Sequence, residues 1–210
     1  MVLFQELFTN PVSVLIWLSI LVISLSVHEA AHAYSAFWLG DPTPKLQKRL
    51  TLNPAAHVDY WGLLFIIFVG IGWGRPVQFN PYNLKNPRRD AALIAIAGPA
   101  SNIVLAFLGV LAIFVLSVFG VQISIVSEIL LQFILLNIAL AVFNLIPVEP
   151  LDGFKVVAGI LPGSLALQWH ETAKYGIYVL LILLITGGVE KIVFPVSRFI
   201  LNILTFPFSF

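Results

Sequence analysis

Two histidines four residues apart frame a glutamate in His28-Glu29-Ala30-Ala31-His32. On a helix, positions i and i+4 share a face, so both imidazoles can reach one metal ion. Zinc in such a site lowers the pKa of a water to about 7, and a glutamate beside the first ligand is placed to take that water's proton. The chain has no cysteine, which excludes thiolate metal sites, disulfides and cysteine nucleophiles together. A metal must then be held by His, Asp, Glu or Asn. A catalytic zinc takes three protein ligands and keeps one position open. Asp152, in Leu151-Asp152-Gly153, is the best candidate for the third, with His57 and Glu149 as competitors. The bland alternative for Asp152 is an ordinary helix N-cap.

These groups must be positioned by a chain that is 60% hydrophobic and 10% charged, with a mean hydropathy of +1.00 over 210 residues. Soluble domains carry about 25% charged residues, so there is too little polar surface here to face water, and the bilayer is the expected solvent. Ionisable side chains in such a setting are costly and default to function. The net charge of +1 leaves no electrostatic footprint for nucleic acid. The N-terminus has no basic n-region, and its first apolar run is too long for a cleaved signal, so it reads as a retained anchor.

Apolar stretches at 11–39, 91–119, 123–146 and 173–186 are expected to cross the membrane. The tail, 189–210, is interrupted by Glu190, Lys191, Pro195 and Arg198 and reads as an interfacial helix. Residues 61–74 are apolar, too short to span, and punctuated by Gly62, Gly70, Gly72 and Gly74; a small re-entrant or interfacial β element running into 74–79 is expected there. The predicted fold is a single all-α membrane domain, 1–210, with four spans, that β element within the loop 40–90, and an interfacial C-terminal segment.

Seven of the eleven basic residues lie between the first two spans: Lys45, Lys48, Arg49, Arg75, Lys85, Arg88 and Arg89. The positive-inside rule puts that loop in the cytoplasm and the N-terminus outside. Lys45, Lys48, Arg49, Arg88 and Arg89 accordingly read as topology and headgroup contacts. The third span then delivers residues 147–155 to the side that carries His28 and His32. Those histidines lie roughly 10–16 Å deep at 1.5 Å per residue, so Asp152 must ride on a segment that dips back into the protein. Pro147, Pro150 and Gly153 permit such a break.

Four motifs in order sharpen this. They are the HEAAH stretch, Leu50-Thr51-Leu52-Asn53-Pro54-Ala55-Ala56-His57-Val58-Asp59, Gly98-Pro99-Ala100-Ser101-Asn102, and the run from Asn144-Leu145-Ile146-Pro147 to Leu151-Asp152-Gly153. Over residues 15–160 the chain resembles the site-2 protease family, in its short prokaryotic branch without PDZ or CBS domains. The resemblance implies cleavage of a membrane-spanning segment of a membrane-protein substrate within the bilayer. It also implies one zinc per chain on His28, His32 and Asp152, Glu29 as base, and Asn144 and Asn102 positioning the substrate. It further implies a strand at 72–79 near the substrate and a prokaryotic cell membrane with the site towards the cytoplasm.

Bland readings stand beside these roles. Asn144 can hydrogen-bond between helices, Asn102 can pack with Gly98, and His57 can bind the site or merely order its loop. Two positions depart from the family pattern: Tyr60, where a proline is expected before Trp61-Gly62, and Glu149, an acid close to the proposed ligand. A metal transporter using the same ligands is the rival class. It needs further ionisable groups through several spans, and spans two and three hold almost none. An inactive relative is opposed by Glu29 and the complete ligand set.

Overall fold

The computed structural model describes residues 2–70, 72–121 and 123–208; Ile71, inside the glycine-punctuated run, and the last two residues of the tail lie outside the described residues. A short helix, α1 (Val2–Thr9), leads into α2 (Pro11–Trp38). Asn10 caps α2 by accepting from the Ser13 N–H at 3.3 Å, and Pro11 sits in the first turn, where its missing N–H costs nothing. The 28 residues of α2 run about 42 Å. Gly40, in the left-handed region with φ 105°, turns the chain after it. One turn of helix, α3 (Thr43–Leu46), and a 3-10 turn at Pro54–Ala56 follow.

Helix α4 (Tyr60–Val69) replaces the expected β element. The Asp59 carboxylate accepts from the Trp61 and Gly62 N–H groups at 2.8 and 3.2 Å, which starts a helix, and Gly70 in the left-handed region stops it. Residues 72–80 carry no regular secondary structure, and there is no strand among the described residues. Side chains and loop carbonyls take the place of a ladder. Gly62 and Gly72 let the 72–80 segment lie directly on α4, since a Cβ on either would collide with the backbone at Trp73 or Gly62 respectively.

Helix α5 (Pro87–Val118) begins with Pro87 in its first turn, and Asp90 reaches back to accept from the Asn86 N–H at 2.9 Å. Helix α6 (Ser124–Asn144) returns antiparallel to it. After a tight turn, α7 (Asp152–Ile160) folds back on α5. Gly153 permits this, because a Cβ there would strike the Leu145 and Ile146 carbonyls at the end of α6. Helices α8 (Gly163–Glu171), α9 (Gly176–Ile185) and α10 (Gly188–Thr205) complete the chain.

By length and composition, four helices can cross a membrane: Pro11–Trp38, Pro87–Val118, Ser124–Asn144 and Gly188–Phe208. The last differs from the expectation of an interfacial tail. The stretch expected as span four instead begins as a 3-10 turn, Thr172–Tyr175, and leaves α9 only ten residues, about 15 Å. Helix α10 lies along α6, and its Val193, Ile200, Leu201 and Leu204 cover the Ala106, Val110, Ile134, Ile138 and Val142 cluster between α5 and α6. Many large apolar side chains face outward, among them Leu15, Ile23, Val104 and Phe107, as lipid contact allows.

A polar knot holds the loop to the bundle. The buried Asp41 carboxylate accepts from Thr43 N–H and O–H, Asn80 N–H and the Asn83 amide at 2.6–3.1 Å. Burial alone would raise its pKa, but the hydrogen bonds from Thr43, Asn83 and Asn80 outweigh it and hold Asp41 below its ordinary 3.8. A carboxyl with a lowered folded pKa contributes stability that is complete above its unfolded value and is lost as pH falls through the folded one. Thermal melting of the detergent-solubilised chain should therefore show wild type above Asp41→Asn by a constant margin from pH 7 to about pH 5, with the margin closing below about pH 4. A margin independent of pH would show that the charge is not what holds the knot.

Candidate metal centre

Helix periodicity puts His28 and His32 on one face of α2, and α7 brings Asp152 against them. His28 Nε2 and His32 Nε2 are 3.0 Å apart, and Asp152 Oδ2 lies 3.2 and 3.1 Å from them. Asp152 caps nothing: α7 has no side-chain cap bond, and its carboxylate goes to the imidazoles.

The opposite edges of the two rings fix their tautomers. His32 Nδ1 is 2.7 Å from the Ile94 carbonyl, which can only accept, so Nδ1 carries the proton. His28 Nδ1 is 2.6 Å from Asn102 Oδ1. The Asn102 amide group donates to Asn137 Oδ1 at 2.8 Å and to the Ser24 carbonyl at 3.4 Å. The Asn137 amide group in turn donates to Ser24 Oγ and to the Phe133 carbonyl, both at 2.9 Å. The main-chain carbonyls anchor the direction of this chain, so Asn102 presents its oxygen to His28 and His28 Nδ1 donates. Both Nε2 atoms then carry lone pairs.

With both rings neutral, two imidazole lone pairs and a carboxylate oxygen converge as three acceptors, an arrangement that could hold a metal ion. Ligand atoms on a tetrahedral ion with bonds of about 2.0 Å are about 3.3 Å apart, close to the 3.0–3.2 Å seen here. The donor set of two imidazoles and one carboxylate fits zinc. Gly98 makes the site possible, since a Cβ at that position would collide with both imidazole rings.

Glu29 is half-buried and differently employed. Its Oε2 accepts from the Val77 N–H at 3.0 Å and lies 3.8 Å from Arg49 Nη2. The Arg49 guanidinium, 4% exposed, also donates to the Ala56 and Arg75 carbonyls. Burial lowers its pKa, Glu29 raises it and Arg75 lowers it again. Arg49 is therefore a clamp between the 54–57 turn, the 72–80 segment and Glu29, in place of the headgroup contact expected of it. Its position in a basic loop carries no sequence signal for this.

The remaining sequence candidates do not join the metal ligands. His57 is fully buried, with Nε2–H donating to the Thr51 carbonyl at 2.7 Å and its own carbonyl accepting from the Arg75 N–H at 2.7 Å, so it orders the loop. Burial pushes its pKa down, which keeps the ring neutral. Glu149 packs its backbone against Gly176 and makes no polar contact with the ligands. Asn144 donates to the Leu140 carbonyl of its own helix at 2.9 Å. Asn102, fully buried with its oxygen and amide both used, cannot face a substrate and orients His28 instead. Asn137 and Ser24 were not anticipated; a lone Asn or Ser in an apolar span reads as helix-to-helix glue.

Comparison with known proteins follows the same line. The profile described as Peptidase family M50 matches residues 119–187. The Bacillus subtilis protein named "Putative zinc metalloprotease YwhC" is 38% identical over 88% of this chain and 87% of its own length. The Mycolicibacterium smegmatis protein named "Putative zinc metalloprotease Rip2" is 29% identical over 81% of this chain and 66% of its own, and its Mycobacterium tuberculosis counterpart is 27% identical over 77% and 63%. No solved structure matches the chain.

Groups that orient metal ligands typically contribute 10–100-fold to affinity. Asn102→Leu should weaken zinc binding by about that factor in a chelator competition, and Gly98→Ala, which drives a methyl between the rings, by at least as much. Helical content by circular dichroism should be unchanged in both. Zinc affinity equal to wild type in either variant contradicts the geometry.

Proposed function

Since the chain belongs to peptidase family M50 and carries its own buried His–His–Asp cluster, we propose that it is a zinc endopeptidase that cleaves membrane-spanning segments of membrane-protein substrates. The observation that carries this reading is the convergence of His28, His32 and Asp152 with Glu29 one residue from the first ligand. Zinc, when bound, supplies a Lewis acid that activates a water near neutral pH and polarises a carbonyl.

Every other step falls to the chain's own residues. Val77 N–H and Arg49 hold Glu29 Oε2, so Oε1 is the oxygen that takes the proton of the attacking water and passes it to the leaving amine. An unwound substrate lies along residues 73–79, where the N–H groups of Gly74, Gln78 and Phe79 have no partner among the described residues. Asn144 has spent one amide hydrogen on Leu140 and offers the other to a substrate carbonyl. The active site faces the cytoplasm of a prokaryotic cell in this reading, and the basic residues of the loop 40–90 support the orientation. A transport path has little support: the chain of Ser24, Asn137 and Asn102 is buried, holds no ionisable group and ends at His28.

Purified chain, reconstituted with a tagged library of membrane segments, tests this. Wild type and Glu29→Gln should each hold one zinc, with cleavage at least about 100-fold slower in the variant. Asp152→Ala should lose the zinc. Equal cleavage by wild type and Glu29→Gln, or undiminished zinc in Asp152→Ala, would sink the assignment.

Arg49 gives a separate outcome. Arg49→Gln should keep its zinc and lose about tenfold in cleavage, since one charge-assisted contact on Glu29 and the clamp behind it are gone. Arg49→Lys, which restores the charge without the fork, should recover part of the loss; no loss in Arg49→Gln contradicts the clamp.

A further inference from the structure

Away from the metal centre, a cavity of about 630 Å³ opens between the first turn of α5, the end of the 72–80 segment, and helices α7 and α8. Its lining is mostly apolar, with residues such as Phe79, Ala158 and Ala166, and includes Arg88, Lys155 and His170. No carboxylate lines it. Neither the Arg88 guanidinium nor the Lys155 ammonium makes an ion pair or hydrogen bond among the described residues. Two cations thus face an apolar hollow with no anion to balance them.

We propose that this cavity binds one anionic phospholipid, its phosphate between Arg88 and Lys155 and the upper part of an acyl chain against the apolar wall. Three observations favour a lipid over other anions. Arg88 lies in the first turn of a spanning helix, which is the level of lipid headgroups. The volume far exceeds what a free phosphate fills, and such an ion would leave apolar walls against water. On the α7–α8 side, Ile160 and Leu167 are 77% and 71% exposed, which suits a surface lying in the interface and is costly in bulk water. A bound lipid would brace α7, the helix that carries Asp152, against α5.

Near a membrane surface each basic residue contributes about fivefold to affinity for an anionic lipid, so two contribute on the order of 30-fold. The test uses the full chain, delipidated in neutral detergent, with phosphatidylglycerol and phosphatidylcholine of matched acyl chains counted by native mass spectrometry. One phosphatidylglycerol should be retained per chain, with a preference on the order of 30-fold. Arg88→Gln combined with Lys155→Gln should bring the two lipids to parity. Ala166→Leu, which fills the cavity and keeps both charges, should abolish retention. Lys45→Gln with Lys174→Gln, which removes two cations elsewhere, should leave it intact. Zinc content and melting temperature identify any misfolded variant, and the charge and filling variants are independent of each other. No preference in wild type, or equal loss in the Lys45/Lys174 variant, overturns the proposal. Equal binding of glycerol phosphate would make it a free-anion site. Displacement of the lipid by an acidic peptide that itself binds more tightly would assign the cavity to a substrate flank. Either of these also overturns it.

Discussion

Three ligand atoms from two helices meet within about 3 Å at the centre of this protein, and the far edge of each imidazole is held by a hydrogen bond of its own. Ile94 and Asn102 take the proton of each imidazole on the far edge of its ring, leaving both Nε2 lone pairs aimed at the Asp152 carboxylate. With both rings neutral the three atoms repel one another in a buried setting, and a divalent cation held there would offset that repulsion. The helices around the site follow from that constraint. Gly98 gives α5 its closest approach, Gly153 lets α7 turn back, and Ser24, Asn102 and Asn137 tie three spanning helices to one imidazole.

The bilayer raises the stakes of this design. An unpaired polar group in an apolar interior costs roughly 2–7 kcal/mol, so each Asn and Ser placed among the spans must be satisfied or the fold pays for it. Asn137 and Asn102 are satisfied through main-chain carbonyls as well as each other, which gives the network one direction and His28 one tautomer. Across the site, Glu29 is managed by the loop instead, through the Val77 N–H and the buried Arg49. The ligands are set by rigid helices and the base by a loop segment. That division suits a metal that must stay fixed beside a substrate that must enter.

Sequence reasoning reached the features with local signatures and missed those that need the third dimension. The pairing of His28 with His32 was legible because i, i+4 spacing alone fixes a shared helical face. Asp152 was reachable because basic residues orient the spans and two prolines mark a break before it. Motif order carried the resemblance to the site-2 protease family, and a relative 38% identical shows membership of peptidase family M50. Asn102 was recognised as a site residue, but its partner could not be: no spacing shows that its oxygen meets His28 and not a substrate. Arg49 looked like any cation in a basic loop, and only burial reveals it. The β element failed because a glycine-punctuated apolar run fits either a strand or a short helix, and the decisive signal was the Asp59 cap. The fourth helix long and apolar enough to cross a membrane is Gly188–Phe208 where 173–186 was expected, because the 3-10 turn at Thr172–Tyr175 shortens the earlier stretch and α10 packs on α6.

The central claim concerns the identity of the ligands, and zinc K-edge X-ray absorption on the purified chain reads it directly. Two imidazoles and one carboxylate predict a first shell of nitrogen and oxygen alone at about 2.0–2.1 Å, with multiple scattering that fits two histidine rings. The spectrum should be unchanged in His57→Gln. Scattering from three imidazoles, or from one, or a first shell altered by loss of His57, would contradict the account.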